Sequence, residues 1–151
     1  MNLESLKNKI TPIIHKTDWD LDKKLTAVCE LLQREVAHYD WVGFYFVNGD
    51  KHELKLRAFA GEPTEHTIIP FGKGICGQVA VSNANFVVPD VQAQNNYIAC
   101  SIHVKSEIVI PLFVREKNIG QIDIDSHTLN AFTENDERFL EWVNVQVAQL
   151  F

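Results

Sequence analysis

The sequence predicts an α+β fold in which helices at both ends of the chain pack on one face of a central antiparallel sheet. Three observations lead to this prediction. Apolar residues recur at spacings of three and four near both ends of the chain, as on the buried side of a helix. Apolar and polar residues alternate in the middle of the chain, which is typical of strands. Short polar turns join these strands into hairpins. The chain has 151 residues, and we expect positions 1–151 to form one domain.

The predicted helices lie at the two ends of the chain and near its centre. The first segment, residues 2–14, is short and weakly amphipathic. A second helix follows the polar stretch 17–20, which offers a helix start. A short third helix is predicted over residues 75–82, after a glycine turn at 71–74, and the last begins after a capping box at Thr133. The buried stripe of the second helix consists of Leu21, Leu25, Val28, Leu32 and Val36. The apolar face of the last consists of Phe139, Trp142, Val143, Val147 and Leu150.

Turn residues divide the middle of the chain into strands. The predicted strands cover residues 41–47, 53–60, 86–88, 107–114 and 119–126, with a short extended piece at 67–70. A turn at Asn48-Gly49-Asp50 joins the first two strands, and a loop within 115–118 joins the last two. In the second strand, simple alternation places Leu54, Leu56 and Ala58 on the same face.

Alternation along the strands sorts their side chains between two faces. Val42, Phe44 and Phe46 share an apolar face, which we expect to pack on the terminal helices. A three-residue loop at 116–118 would place Val109 opposite Asp125. On that basis the other face carries Trp41, Gly43, Tyr45, Glu107, Asp123 and Asp125. We therefore expect three carboxylates to converge beside an aromatic surface, under a lid formed by the polar loop 91–106.

The carboxylates have a simpler interpretation as part of a solvated sheet face. Two observations favour a ligand site instead. Aspartate is uncommon in strands, yet Asp123 and Asp125 lie in a strand core. Clustered like charges also repel unless a cation or a proton compensates them. A ligand ammonium group, or a proton shared by two carboxyls, would supply that compensation.

Composition argues against several classes of function. The net charge of −6 and the pI of about 5.4 disfavour nucleic acid as a partner. We find no basic helix stripe, no apolar run of the ~20 residues that span a membrane, and no signal peptide, so we expect no membrane partner and a cytoplasmic location. The three cysteines are odd in number and widely spaced, which favours buried or reactive thiols over a disulfide scaffold.

The three cysteines differ in their sequence surroundings. Cys29 lies beside the stripe of a helix and is expected to be a small buried apolar residue. Cys76 follows Gly72-Lys73-Gly74 near a helix N-terminus, where a nearby lysine and the helix dipole are expected to lower the pKa of its thiol. Cys100 lies in a polar loop with Ser101, His103 and Lys105 close in sequence. Cys100 is therefore the strongest candidate for a reactive thiol.

Three other chemistries are less well supported by the sequence. A zinc site made by His66, Cys76, Cys100 and His103 has ligand spacing only at Cys100-x-x-His103, so we expect no metal. Residues 71–77 contain glycines and a lysine but lack the P-loop pattern for nucleotide phosphates. A Cys–His protease would need a third catalytic group and an oxyanion donor, and none stands out.

Six motifs occur in order along the chain: WVGFYF at 41–46, IPFGKGICG at 69–77, VPDV at 88–91, IAC at 98–100, SEIV at 106–109 and IGQIDIDS at 119–126. Together they resemble the free methionine-(R)-sulfoxide reductases, which are stand-alone GAF domains. The resemblance covers residues 40–151. It implies a GAF-like fold with a ligand pocket under loops on one face of the sheet, a closed site for one free amino acid, thiol chemistry and no cofactor.

The resemblance also implies roles for individual residues. The family's nucleophile matches Cys100, which would attack the sulfoxide sulfur and become a sulfenic acid. Thioredoxin or another dithiol would then restore the enzyme. The residues that would bind substrate are Glu107, Asp123, Asp125, Trp41, Tyr45, Ile98 and Ala99.

The sequence departs from the family pattern at three positions. A further cysteine of the family is replaced by His66, a histidine by Tyr97, and an aspartate by Ser101. Without the cysteine at position 66, either Cys76 or an external thiol would resolve Cys100. A non-catalytic sensor for a small amino-acid-like ligand is the alternative function, and a homodimer through the terminal helices is compatible with both.

Overall fold

The structure is a computed structural model that describes residues 2–98 and 101–151. In these residues, helices α1 (Leu3–Ile14), α2 (Leu21–Glu35), α3 (Gly74–Ser82) and α4 (Glu134–Ala148) surround one antiparallel sheet. The strands are β1 (Trp41–Val47), β2 (Glu53–Ala60), β3 (Ile68–Pro70), β4 (Phe86–Val88), β5 (Ser106–Val114) and β6 (Lys117–Ser126), in the order β3-β2-β1-β6-β5-β4. A short 3₁₀ helix (Val91–Ala93) precedes β5. The predicted α+β architecture is confirmed. None of the described helices is both long and apolar enough to cross a bilayer.

The terminal helices α1, α2 and α4 cover one face of the sheet and enclose the larger apolar core. Val42, Phe44 and Phe46 of β1 point into this core, as alternation predicts. The first segment forms a complete helix, despite its weak amphipathic pattern, because Leu6 and Ile10 recur on one side and are fully buried. Val42, Phe44 and Phe46 thus face the terminal helices, whereas Trp41 and Tyr45 lie on the opposite face, in a smaller apolar cluster that includes residues of α3.

The second strand departs from simple alternation at a β-bulge. Tyr45 pairs with Leu56 and Phe44 with Ala58, so Arg57 is an extra residue in β2. The bulge changes the face of the residues that follow it. Leu54 lies on the side of α3, whereas Ala58 lies in the core under the terminal helices. The prediction that these two residues share a face was therefore wrong.

The hairpin of β5 and β6 has a register that differs from the predicted one. The turn contains two residues, Arg115 and Glu116, both with positive φ (50° and 67°), rather than three. A register shift follows at Leu112/Phe113, and Val109 lies opposite Asp123 instead of Asp125. The predicted pairing is therefore shifted by two residues. Because side chains alternate with a period of two, each side chain of this hairpin still lies on the predicted face of the sheet.

A buried carboxylate joins α4 to the segment before β1. Asp136 caps the first turn of α4 through a capping box with Thr133. Its Oδ1 also accepts a hydrogen bond from the Tyr39 hydroxyl at 2.7 Å and lies 2.9 Å from Nε2 of His38. Burial alone would raise the pKa of Asp136, but hydrogen bonds from His38, the Thr133 backbone and Tyr39 hold it below its usual value.

We expect Asp136→Asn to lower the free energy of unfolding at pH 7 by about 1–3 kcal/mol, through loss of the capping box and of charged hydrogen bonds. A carboxyl with a lowered folded pKa stabilises the fold above its unfolded pKa, and this stabilisation is lost as pH falls through the folded pKa. The difference in the free energy of unfolding between wild type and variant should therefore become smaller below about pH 4. Urea denaturation between pH 7 and pH 3 measures this difference, with the exposed Asp50→Asn as control. A difference that stays constant with pH would contradict the prediction.

Candidate active site

The face of the sheet opposite the terminal helices carries the predicted acidic and aromatic residues side by side. Trp41 of β1 pairs with Asp125 of β6, and Asp125 pairs with Glu107 of β5. Two residues earlier along β6, Asp123 pairs with Gly43. Glu107 and Asp123 are therefore diagonal neighbours on adjacent strands, a geometry that lets long side chains touch.

The three carboxylates are buried, so the interpretation as a solvated sheet face does not hold. Glu107 is 4% exposed, and Asp123 and Asp125 are each 1% exposed. Acidic side chains are rarely buried without a compensating charge or proton, because removing a carboxylate from water is costly. A proton or a cationic group must therefore accompany this cluster.

Asp123 is the centre of the cluster. Burial raises the pKa of its carboxyl above the usual value, although hydrogen bonds with Glu107 and with the Cys76 thiol act in the opposite direction. A hydrogen bond between two carboxyl groups requires a proton on one of them. The raised pKa makes Asp123 the candidate to carry a proton beside Glu107 on the covered face of the sheet.

Cys76 meets this pair from the helix above it. Its side chain is buried, and one ligand atom from each of Cys76, Glu107 and Asp123 lies within 4.8 Å of the others. Burial, followed by the charges of Asp123 and Glu107, raises the pKa of the thiol well above its ordinary value. The predicted lowering of this pKa by the helix N-terminus and Lys73 was therefore wrong, because burial of the thiol, together with the nearby carboxyls, outweighs the local helix effect.

The aromatic wall predicted beside the carboxylates is present and held in place by backbone contacts. The Trp41 ring lies over Gly43, where a side chain would collide with it, and stacks on Phe59 at 5.9 Å between ring centroids. Its indole Nε1 donates to the Glu62 carbonyl at 2.9 Å. The hydroxyl of Tyr45 donates to the His66 carbonyl at 2.8 Å. Both rings are thus fixed at the face that carries Asp123 and Asp125.

Close backbone packing fixes the height of α3 above the sheet. A side chain at Gly77 would lie 2.6 Å from the Pro70 carbonyl oxygen, so only glycine allows this approach. The buried Gln121 of β6 donates through Nε2 to the Cys76 carbonyl at 3.1 Å. Its role as an anchor of α3 was missed from the sequence, although its position on the same face as Asp123 was the available signal.

The loop after β4 covers the start of α3, as the predicted lid would. Asn96 bridges two backbone positions of the glycine turn, since its Oδ1 accepts from the Gly74 N–H at 2.8 Å and its Nδ2 donates to the Gly72 carbonyl at 2.7 Å. Ile98 then packs against Gly74, where a side chain would come within 2.9 Å of it. Asn96 was not singled out in the sequence, and its role depends on contacts 22 and 24 residues away.

Two clefts open at this face. The first is narrow, with a cavity volume of about 10 Å³, and is lined by His66, Ile69, Lys73, Gly74, Ile75, Cys76, Ile98, Glu107 and Asp123. The second has a cavity volume of about 30 Å³ and is lined by Asp40, Trp41, Glu62, Ser101, Val104, Asp125 and His127. A wider surface concavity of about 450 Å³ beside β2 contains none of the predicted site residues among those described.

The remaining predicted residues have different outcomes. Ala99 and Cys100 lie outside the described residues, and their neighbours in the chain line different clefts: Ile98 the first and Ser101 the second. His103, from the zinc alternative, is exposed and its ring lies 5.8 Å from that of His127. Cys29 is fully buried in the core under the terminal helices, as expected.

Comparison with known proteins identifies a family and individual relatives of this chain. Residues 20–151 match the family described as GAF domain. GAF domain-containing protein A of Dictyostelium discoideum is 43% identical over 107 residues, which are 71% of this chain and 66% of that protein. The chain thus spans about two thirds of the length of that relative. Free methionine-R-sulfoxide reductase of Escherichia coli is 35% identical over 126 residues, which are 83% of this chain and 74% of that protein.

A solved structure agrees with these sequence matches. The free methionine-R-sulfoxide reductase of Neisseria meningitidis, solved in complex with its substrate, superposes with a TM-score of 0.91 and is 35% identical. The match covers 99% of this chain and 87% of that one. The resemblance seen in the sequence motifs is thereby confirmed, and the chain belongs to the GAF domain family and, within it, to the free methionine-R-sulfoxide reductases.

Proposed function

We propose that this chain reduces free methionine-(R)-sulfoxide to methionine. The observation that carries the proposal is the buried cluster of Cys76, Glu107 and Asp123 beside a fixed aromatic wall. A free amino acid brings an ammonium group that buried carboxylates attract, and the methyl group next to the sulfoxide suits an aromatic surface. Relatives named as this reductase, at 35% and 38% identity, support the assignment.

The first step transfers an oxygen atom to Cys100. The thiolate of Cys100 attacks the sulfoxide sulfur and forms a sulfur–sulfur bond, and the sulfoxide oxygen takes up one proton. The oxygen then passes to the sulfur of Cys100 as the S–O bond of the substrate and the new sulfur–sulfur bond both break. Methionine leaves, reduced by two electrons, and Cys100 becomes a sulfenic acid. The proton held by Asp123 and Glu107 is available to the oxygen as its negative charge develops. We assign the substrate's ammonium group to Asp125, which pairs with Trp41 across the sheet.

The second step returns Cys100 to its thiol form. The sulfur of Cys76 attacks the sulfenic acid, water leaves, and a disulfide forms between the two cysteines. Thioredoxin or another dithiol then reduces this disulfide and is itself oxidised. Such chemistry suits the reducing cytoplasm, where free thiols persist. The homodimer through the terminal helices stays a prediction from the sequence.

The proposal is tested by turnover with resolved substrate isomers. We expect the protein to release methionine from the free R sulfoxide, with thioredoxin and its reductase or with dithiothreitol as electron donor. The S isomer, and the R sulfoxide within a peptide, should react at least about a hundredfold more slowly. A site shaped for the free R isomer would leave polar groups unpaired when either of these binds. Equal rates with both isomers, or no methionine with either donor, would refute the proposal.

A catalytically silent amino-acid sensor is the second candidate, and the position of His66 favours it. His66 lines the same cleft as Cys76, at the position where the family pattern has a further cysteine. A sensor would show an increase in melting temperature on adding methionine or its sulfoxide, by mass action, without releasing any product. Product release with either donor therefore excludes this second candidate.

A further inference from the structure

We propose that Cys76, Glu107 and Asp123 bind Zn²⁺ in the reduced protein. These residues come from three different elements, α3, β5 and β6, and are all buried on the covered face of the sheet. One ligand atom of each lies within 4.8 Å of the other two. The sequence itself offers no zinc motif at these positions, so the site arises from the fold alone.

The donor set suits zinc better than other common divalent ions. One thiolate sulfur with two carboxylate oxygens is a borderline-soft set, whereas Mg²⁺ and Ca²⁺ prefer six or more oxygens. Tetrahedral zinc, with bonds of about 2.3 Å to sulfur and 2.0–2.2 Å to oxygen, separates its ligand atoms by roughly 3.3–3.7 Å. Because the three ligand atoms already lie within 4.8 Å of one another, small side-chain rotations would bring them to these separations, and a water molecule would take the fourth position.

A second observation points to a ligand beyond the cluster itself. Oδ1 of Asp123 is buried and has no hydrogen-bond partner among residues 2–98 and 101–151. A buried carboxylate oxygen without a partner is costly, and such atoms in native proteins call for an ion, a water or a ligand. Asp123 lines the first cleft together with Cys76 and Glu107, so this oxygen has an entry route.

Charge balance also favours a cation at this position. Glu107, Asp123 and Asp125 bring three acidic groups to one buried face, and the described salt bridges do not include a partner for Asp123. A divalent cation at this position would compensate the charge of Asp123. Zinc bound there would hold the sulfur of Cys76 and block the cleft, so it should inhibit the proposed reductase in competition with substrate.

The experiment uses Co²⁺ as a spectroscopic probe for zinc on the full, reduced, metal-free protein. We expect one equivalent of Co²⁺ to give a near-ultraviolet sulfur-to-cobalt charge-transfer band and visible bands of tetrahedral intensity. One equivalent of Zn²⁺ should remove both, because zinc binds such sites more tightly than cobalt. Cys76→Ser should abolish the charge-transfer band, and Asp123→Asn should weaken cobalt binding at least about tenfold.

Matched variants decide whether the site is the one proposed. Cys29→Ala removes a buried thiol on the other side of the sheet and should leave the cobalt spectrum unchanged. Far-ultraviolet circular dichroism and thermal unfolding of each metal-free variant identify any that fail to fold, and Glu107→Gln then replaces a failed variant as the test of the carboxylates. A full charge-transfer band in folded Cys76→Ser, or no band at millimolar cobalt, would overturn the proposal.

The zinc site and the reductase activity fail in different ways. Spectral binding needs no turnover, so a cobalt band in a protein that releases no methionine supports the metal site and rejects only the reductase. Turnover that proceeds at full rate in excess Zn²⁺, with no cobalt band, rejects only the metal site.

Discussion

Replacing Cys76 by serine is expected to limit the thioredoxin-dependent reaction to one turnover per chain, whereas Cys100→Ser should abolish even that turnover. The first methionine needs only the nucleophile, because oxygen transfer ends at the sulfenic acid of Cys100. A second methionine needs the thiol to be restored. We expect the steady-state rate with thioredoxin to fall by at least about 10²-fold in Cys76→Ser and by at least about 10³-fold in Cys100→Ser.

The environment of Cys76 explains why it is suited to the second step rather than the first. Burial and the charges of Asp123 and Glu107 raise the pKa of its thiol, so it stays protonated at neutral pH and does not compete for the sulfoxide. Thiolate is the attacking species in the resolving step. The rate of disulfide formation should therefore rise as the pH is increased from 7 to 9, in wild type but not in Cys76→Ser.

Rapid quenching, with methionine counted per chain, measures this prediction. Cys29→Ala serves as the control, since it removes a buried thiol far from the cleft and should keep both the first turnover and the steady state. Repeated turnover of Cys76→Ser with thioredoxin would show that an external thiol resolves Cys100. Methionine formed in Cys100→Ser would show that the nucleophile is assigned to the wrong cysteine.

Strand alternation was enough to predict which residues of the site share a face. Glu107, Asp123 and Asp125 meet beside Trp41 although the predicted hairpin register was wrong by two residues. A two-residue error keeps the parity of every side chain, so the face survives while the partners change. The faces of β1 were equally predictable, because β1 pairs with β6 without a register shift.

Features that depend on distant contacts could not be predicted in the same way. The pKa of Cys76 was predicted from its neighbours in the chain, but the carboxyls that raise it come from strands that begin 30 or more residues later. The bulge at Arg57 has no local turn residue to mark it, and it moves Ala58 to the opposite face. The need for glycine at position 77 follows from the carbonyl oxygen of Pro70, which the fold brings within 2.6 Å of where a side chain would begin.

Asp123→Asn is expected to lower kcat/KM for the sulfoxide by about 10²–10⁴-fold, the usual contribution of a general acid. Asparagine keeps the shape of the side chain, but it cannot hold a transferable proton with Glu107 or accept from Cys76 as a carboxylate. The loss should lie mainly in kcat, because the group acts as the sulfoxide oxygen leaves. In contrast, Asp125→Asn should mainly raise KM, because Asp125 is assigned to the ammonium group.

The loss of activity should not result from unfolding. The pKa of Asp123 is raised in the folded protein, so ionisation of this carboxyl reduces the free energy of unfolding as pH rises from its unfolded value of about 4 through the folded value. The asparagine variant has no such loss and should be at least as stable as wild type at pH 7. Functional groups held at a cost in stability commonly behave this way.

The pH profile separates a proton donor from a purely structural carboxyl. Wild-type kcat should fall on the alkaline side, where the pair of Asp123 and Glu107 loses its proton, and this alkaline limb should disappear in Asp123→Asn. Asp136→Asn provides the matched control, since it makes the same change in a buried carboxylate in the first turn of α4, and it should lower stability while leaving kcat/KM unchanged. An Asp123→Asn enzyme with wild-type kcat and an unchanged alkaline limb would place the proton donor elsewhere.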